Sequence, residues 1–244
     1  MDKGREQARI LVEKAILSQQ LSQKLDLVSQ AAALDPQSVE PLIVRGQTYL
    51  RLASAAYSTK SRPNEYSHYV DNARMDFDRA ILILIDPKNT WALLGRGDVD
   101  TWLHRPVEAA HAFEQVLGLD PFFDLARYYL INLYTVEARK LVSLKQWSSA
   151  LTVLQKCLPP ETPDSWILYQ KEAYLLRSDI YKKLGRSTQA IDDLSAILRA
   201  DPTDRQALLT RAAFYQEGLQ GRSAKDDFER ACMLGATAAC DQLP

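Results

Sequence analysis

Apolar and small residues recur along this chain at intervals of three and four. Ala109, Ala112, Phe113, Val116 and Leu117 form one such stripe, the spacing that puts side chains on a single face of a helix. Strand signals are almost absent, because β-branched runs are short and Gly-rich hairpin turns are missing. Asp-Pro pairs punctuate the chain at Asp35-Pro36, Asp86-Pro87, Asp120-Pro121 and Asp201-Pro202. Each follows an apolar segment and marks a helix end, since proline cannot continue a helix and drives the preceding residue out of the α region. Pro87 and Pro121 lie 34 positions apart, one of the periods of helical repeat arrays.

The unit from Thr90 to Pro121 resembles a tetratricopeptide repeat. Gly97 sits midway down the first helix (A), Ala109 and Phe113 lie on the second (B), and Pro121 closes the unit. The register recurs in Gly46, Tyr49, Ala73, Phe77 and Ala80 before Pro87, and in Tyr134, Ala150, Leu154 and Cys157 before Pro159-Pro160. It recurs again in Tyr181, Ala190, Leu194 and Ile197 before Pro202, and in Ala212, Tyr215, Ala224, Phe228 and Ala231. A degenerate first unit with Ala31 and Pro36 opens the series. The resemblance implies an all-α, right-handed superhelical solenoid of about six helix-turn-helix repeats forming one domain. Their approximate limits are 5–36, 39–87, 90–121, 124–160, 164–202 and 205–236, followed by a C-terminal cap at 237–244.

Residues 231–240 resemble the cysteine-containing Sel1-like repeats, in which a Cys ending one helix bonds a Cys starting the next. That likeness implies a Cys232–Cys240 disulfide and, with it, an oxidising compartment; a reduced buried pair is the alternative. Cys157 reads as a buried apolar thiol.

Departures from the register predict where the array changes shape. Gly46 to Ala73 spans 27 positions, against 12 from Gly97 to Ala109, so the second unit carries fifteen extra residues around its turn at Ser58–Glu65. Ala55, Ala56, Tyr57, Tyr66, Tyr69 and Val70 flank that turn, which predicts two helices each running about two turns longer. Tyr134 to Ala150 spans 16 positions, against 9 from Tyr215 to Ala224. The surplus of seven is close to two turns, so the fourth unit lengthens without changing its facing. These long hairpins are expected to flank a recess at the third unit's turn, where Trp102, Leu103, His104 and Arg105 lie. Trp102 either faces that recess or packs against a neighbouring long helix.

In tetratricopeptide arrays the A helices line the concave face, where ligands lie. The resemblance therefore implies a partner-binding surface of Trp91, Leu94, Asp98, Thr101 and Trp102 in the third unit. Leu125, Tyr128, Asn132 and Thr135 follow in the fourth, and Glu172, Asp179 and Lys182 in the fifth. Such an aromatic, mixed-polar surface suits a peptide with an apolar anchor. Tyr128 and Tyr129 either face this groove or pack between hairpins. The subfamily that grips acidic chaperone tails uses a Lys and Asn clamp on successive A helices. The matching positions here hold Arg9 with Glu13, Ile43 with Gln47, and Tyr128 with Asn132, so such a tail is not expected as ligand.

Composition narrows the function further. Apolar residues make up 46% and charged residues 25%, with a net charge of -1, a core-forming composition. A near-zero charge argues against nucleic acid or an anionic membrane as partner, since both need a positive field. No apolar stretch approaches the roughly 18–20 residues of a membrane span, and Met1 to Glu6 does not lead into a signal peptide. The expected location is cytoplasmic on the sequence as given, or periplasmic or membrane-tethered were a leader to precede it.

Chemical motifs are weak. Gly95-Arg96-Gly97 lacks the third glycine and preceding strand of a dinucleotide loop, and Arg96-Gly97-Asp98 lies inside a helix. Glu108 and His111 share a helix face, but His104 lies in a turn beyond Pro106 and no further metal ligand is evident. Asp192-Asp193 and Asp226-Asp227 read as surface charge on B helices. Three scattered histidines build no nucleophile–base set. No catalytic residue, metal or cofactor is therefore expected. The function expected is a non-enzymatic scaffold or adaptor for a protein or peptide partner. The alternative is a structural, self-assembling protein whose second and fourth hairpins mediate homo-oligomerisation.

Overall fold

The computed structural model describes residues 3–59, 63–83, 89–158, 164–218 and 220–243. These residues form thirteen helices and no strand. They divide into two units, Met1–Tyr129 and Leu130–Pro244. The first holds α1 (Lys3–Leu17), α2 (Leu21–Leu34), α3 (Glu40–Thr59), α4 (Pro63–Ile83), α5 (Thr90–Trp102) and α6 (Pro106–Leu119). The division falls within α7 (Asp124–Ser143). The second unit continues with α8 (Trp147–Cys157), α9 (Asp164–Lys183), α10 (Ser187–Ala200), α11 (Arg205–Glu217), α12 (Gly221–Met233) and the short α13 (Thr237–Cys240). α1 pairs with α2, α3 with α4, α5 with α6, α9 with α10 and α11 with α12 as hairpins, and α2 packs on α3, α4 on α5, α8 on α9 and α10 on α11.

One turn geometry recurs where a helix hands over to the next. The N–H of Arg105 donates to the carbonyl of Asp100, Gln146 to Leu141, Arg186 to Tyr181, Gln220 to Tyr215 and Ala236 to Ala231, at 2.8–2.9 Å. This is the five-residue back-bond of a Schellman cap, which needs a left-handed residue just before its donor. In four of these turns that residue stands at positive φ: His104 (56°), Lys145 (58°), Gly185 (68°) and Gly235 (87°); in the turn before Gln220 it lies outside the described residues. Between hairpins the Asp-Pro pairs behave as expected at three sites. Asp35, Asp120 and Asp201 are the C-cap residues of α2, α6 and α10. The carboxylates of Asp120 and Asp201 then accept the N–H of Phe122 and Thr203 at 3.0 and 2.9 Å. Asp86-Pro87 and Pro159-Pro160 lie outside the described residues.

The core follows the repeat register. Ala73, Ala80, Ala109, Ala150, Ala190, Ala224 and Ala231 are all buried on B helices, with Phe77, Phe113, Leu154, Leu194 and Phe228 one turn on from the small residue. Phe77 is a wedge between two A helices. A Cβ added to Gly46 on α3 would stand 2.7 Å from its ring, and one added to Gly95 on α5 would come closer still. Phe113 repeats the arrangement, since a Cβ on Gly97 would fall 2.5 Å from its ring and Tyr129 packs on its other side at 5.4 Å between centroids. Each fully buried phenyl contributes roughly 2–3 kcal/mol of transfer free energy, so the small A-helix residues are what let the wedge seat.

Asp193 and Asp227 correct the surface-charge reading. They are only 4% and 2% exposed, each held by an A-helix arginine. Arg177 grips Asp193 at 2.9 and 2.6 Å, and Arg211 grips Asp227 through two bonds of 2.8 Å. Arg45 and Asp76 make the same pair in the second hairpin, at 2.8 and 2.6 Å. The third hairpin has Ala112 at the aspartate position, and its Arg96 turns instead to Asp78 of α4 and to Asp100 on its own helix. The neighbours Asp192 and Asp226 remain exposed.

Helix lengths match the extra residues with one addition. α3 and α4 have 20 and 21 residues, against 13 and 14 for α5 and α6. α7 has 20 residues but α8 only 11, so the fourth hairpin's surplus lies in its A helix. α9 is also 20 residues long, because its helix begins as early as Asp164. A disulfide joins Cys232 to Cys240 across eight positions and ties α13 to the end of α12. Cys157 is buried, and burial pushes its thiol up to about 11.

Candidate functional site

The first unit carries a groove along its A helices. α5 supplies Trp91, Leu94, Gly95, Asp98 and Trp102, which fall at successive helical turns and so share one face. α3 supplies Gln47, Leu50, Arg51 and Ser54 at the same spacing, and Leu125 and Tyr129 at the start of α7 complete the wall. They enclose a cavity of about 500 Å³ floored by Phe77. A second cavity of about 970 Å³ adjoins it, sharing Gln47, Arg51 and Trp91 and reaching Ile16, Lys24 and Val39.

Its aromatic residues are placed differently. Trp91 is 47% exposed, with its ring edge-on to Phe123 at 5.1 Å between centroids. Trp102 packs against the long hairpin, 5.8 Å from Tyr57 and 6.0 Å from Tyr66, and still borders the cavity. Leu103 joins the same cluster, so the turn of the third hairpin is anchored on α3 and α4. Tyr129 packs on Phe113 and lines the groove, whereas Tyr128 is exposed beside it at 6.0 Å between centroids.

Asp98 is the one carboxylate in the wall. It makes no hydrogen bond or ion pair with any described residue, and desolvation pushes its carboxyl up from 3.8 to about 6. The Tyr129 phenol is raised too, by burial first and then by the charge of Asp98. Two threonines given by the register turn their hydroxyls back onto their own helices. Thr101 is exposed, its hydroxyl donating to the Gly97 carbonyl at 3.0 Å. Thr135 is buried, 5% exposed, and its hydroxyl donates to the Ile131 carbonyl at 2.7 Å. Its side chain has no free surface for a partner, because helix A folds its small hydroxyl back onto the previous turn.

In the second unit Asn132, Glu172, Asp179 and Lys182 are exposed. Glu172 accepts from Arg139 at 2.7 Å and Lys182 donates to Glu217 at 2.9 Å, linking consecutive A helices. Partial desolvation raises the Asp179 carboxyl despite its exposure, and Lys182 and Lys183 partly offset it. Sequence reasoning passed over Leu50, Arg51 and Ser54; carrying the lining register back one hairpin from Trp91 and Leu94 would have pointed to that face of α3. Among the described residues no group of three or more His, Cys, Asp or Glu is placed to hold a metal ion, and no helix is long and apolar enough to cross a membrane.

Residues 171–204, from the middle of α9 to the start of α11, match the tetratricopeptide repeat family model. The C-terminal part of a TPR repeat-containing protein from Cytophaga hutchinsonii is similar in structure over 97% of this chain and 80% of its own, with a TM-score of 0.61 and 14% identity. The fold is that of a tetratricopeptide-repeat protein. An Arabidopsis OM64 TPR domain shares 24% identity over 53% of this chain and 96% of its own, with a TM-score of 0.45. YrrB, described as a TPR protein with an unusual peptide-binding site, shares 18% identity over 85% of this chain and 92% of its own, with a TM-score of 0.43. No curated protein matches the chain in sequence.

Proposed function

We propose that this protein is a non-enzymatic scaffold that holds a protein or peptide segment in the A-helix groove. The observation that carries this reading is the wall of Trp91, Leu94, Asp98, Trp102 and Tyr129 around an open cavity of about 500 Å³. Apolar and aromatic area left in water is costly, and a partner that covers it gains that free energy back; buried aromatics are the usual anchors of interfaces. Repeat hairpins that contact only their neighbours suit such a role, since the stack leaves a long face free. Tyr128 extends the surface of the first unit, and Asn132, Asp179 and Lys182 are the candidate contacts of the second.

The test is capture of partners on the immobilised chain, comparing wild type with W91A and Y128A. Both residues are well exposed, so their truncation is expected to leave helicity unchanged. A partner retained by wild type and lost from both variants, with oligomeric mass constant, supports the scaffold. Equal retention by all three removes the groove from consideration. A fall in mass on substitution would instead support self-assembly through this face.

A further inference from the structure

Asp98 is at odds with its surroundings. A carboxylate among Leu50, Leu94, Trp91, Trp102 and Tyr129 has lost much of its hydration and has gained no donor in return. An unpaired, desolvated charge is costly, and a ligand that supplies the missing counter-charge relieves that cost. The same wall presents three aromatic rings, whose faces attract cations, most strongly those of tryptophan. Two other charged or titratable groups border the cavity. Arg51 of α3 is exposed, borders both cavities and makes no ion pair with Asp98; Tyr129 of α7 is a neutral phenol.

We infer that the groove selects a partner segment carrying a lysine or arginine side chain, whose cationic head meets Asp98 while its aliphatic stem lies along the apolar wall that Leu94 and Trp102 form one helical turn to either side. The stem suits the apolar wall and the head the carboxylate, the amphipathic division that long basic side chains provide. This rests on the scaffold reading of the same groove and adds the chemistry of its occupant. It also predicts a pH signature. Bringing a cation to Asp98 favours its ionised form, so affinity is flat above about pH 6 and falls as acid protonates the free protein.

The experiment is selection of a displayed random dodecapeptide library on the full-length chain at pH 7.5, with clones counter-screened on W91A and D98N. Asparagine keeps the shape of Asp98, and circular dichroism confirms that the variant is folded. The expected result is a set of Trp91-dependent peptides that share an essential Lys or Arg. Replacing that residue by Gln, or Asp98→Asn in the protein, should weaken binding at least tenfold, and lowering the pH to 5 should weaken wild type but not D98N. Trp91-dependent peptides that lack a required basic residue, or that bind D98N as well as wild type, overturn the inference and leave the groove standing. Failure to recover any Trp91-dependent peptide removes both.

Discussion

Arg177 on α9 holds Asp193 on α10 through two parallel bonds, Nε to Oδ2 at 2.9 Å and Nη2 to Oδ1 at 2.6 Å. The pair ties the A and B helices of one hairpin together in a nearly dry setting, the two side chains being 14% and 6% exposed. Removing one partner strands the other charge, which costs about 3–5 kcal/mol, whereas replacing both by apolar residues is often close to neutral. D193A should therefore lower stability by several kcal/mol in urea denaturation followed by helical circular dichroism. The double replacement R177M/D193L should recover most of the loss. A double variant as unstable as the single one would mean that the ions are needed for themselves rather than for each other.

Phe77 and Gly95 make a steric prediction. The phenyl ring occupies the place where a side chain on Gly95 would stand, so G95A must displace a fully buried ring or part α4 from α5. Overpacking of this kind costs about 1–3 kcal/mol. F77L in the same chain should return part of the loss, because the smaller side chain frees the volume that the methyl needs. Thermal melts of the two single variants and the double variant check this. Strictly additive losses would show that the two sites do not share the space.

The repeated turns differ in how well their residues suit them. Lys145 takes the left-handed position that Gly185 takes in the next hairpin, and an L-residue there costs about 1–2 kcal/mol. Lys145→Gly should stabilise the chain by about 0.5–1 kcal/mol after the added entropy of the unfolded glycine. The converse, G185A, should destabilise by about 1 kcal/mol. No heavy atom lies within 4 Å of the new methyl, so backbone strain alone is read out. Equal melting of G185A and wild type would contradict this account of the turns.

Much of the fold was legible because repeat signals are local. Gly97, Ala109 and Phe113 announce one hairpin, and the fifteen extra residues before Ala73 announce long helices that the structure has in α3 and α4. What was not legible depends on partners distant in sequence. Asp193 reads as surface charge until Arg177, sixteen residues earlier, is placed opposite it. Trp102 could have faced the recess alone, and only the extended ends of α3 and α4 bring Tyr57 and Tyr66 against it. Thr135 shows a further limit, since the register gives the helix face but not whether a small side chain there folds back and is buried.

Asp98 links stability to pH with no cation among the described residues paired to it. Its carboxyl is raised from 3.8 to about 6 by desolvation, so between those values the folded chain holds a proton that the unfolded chain has lost. Stability therefore falls as pH rises through this window and stays at the lower level above it. The shift corresponds to roughly 1–3 kcal/mol. D98N is neutral at every pH and avoids the loss. Its stability relative to wild type should be near equal at pH 4 and higher by roughly 1–3 kcal/mol at pH 7, measured by urea unfolding at both values. Parallel curves for the two proteins would mean that Asp98 is well solvated, and a carboxylate at ease in water would have no unmet charge for a ligand to satisfy.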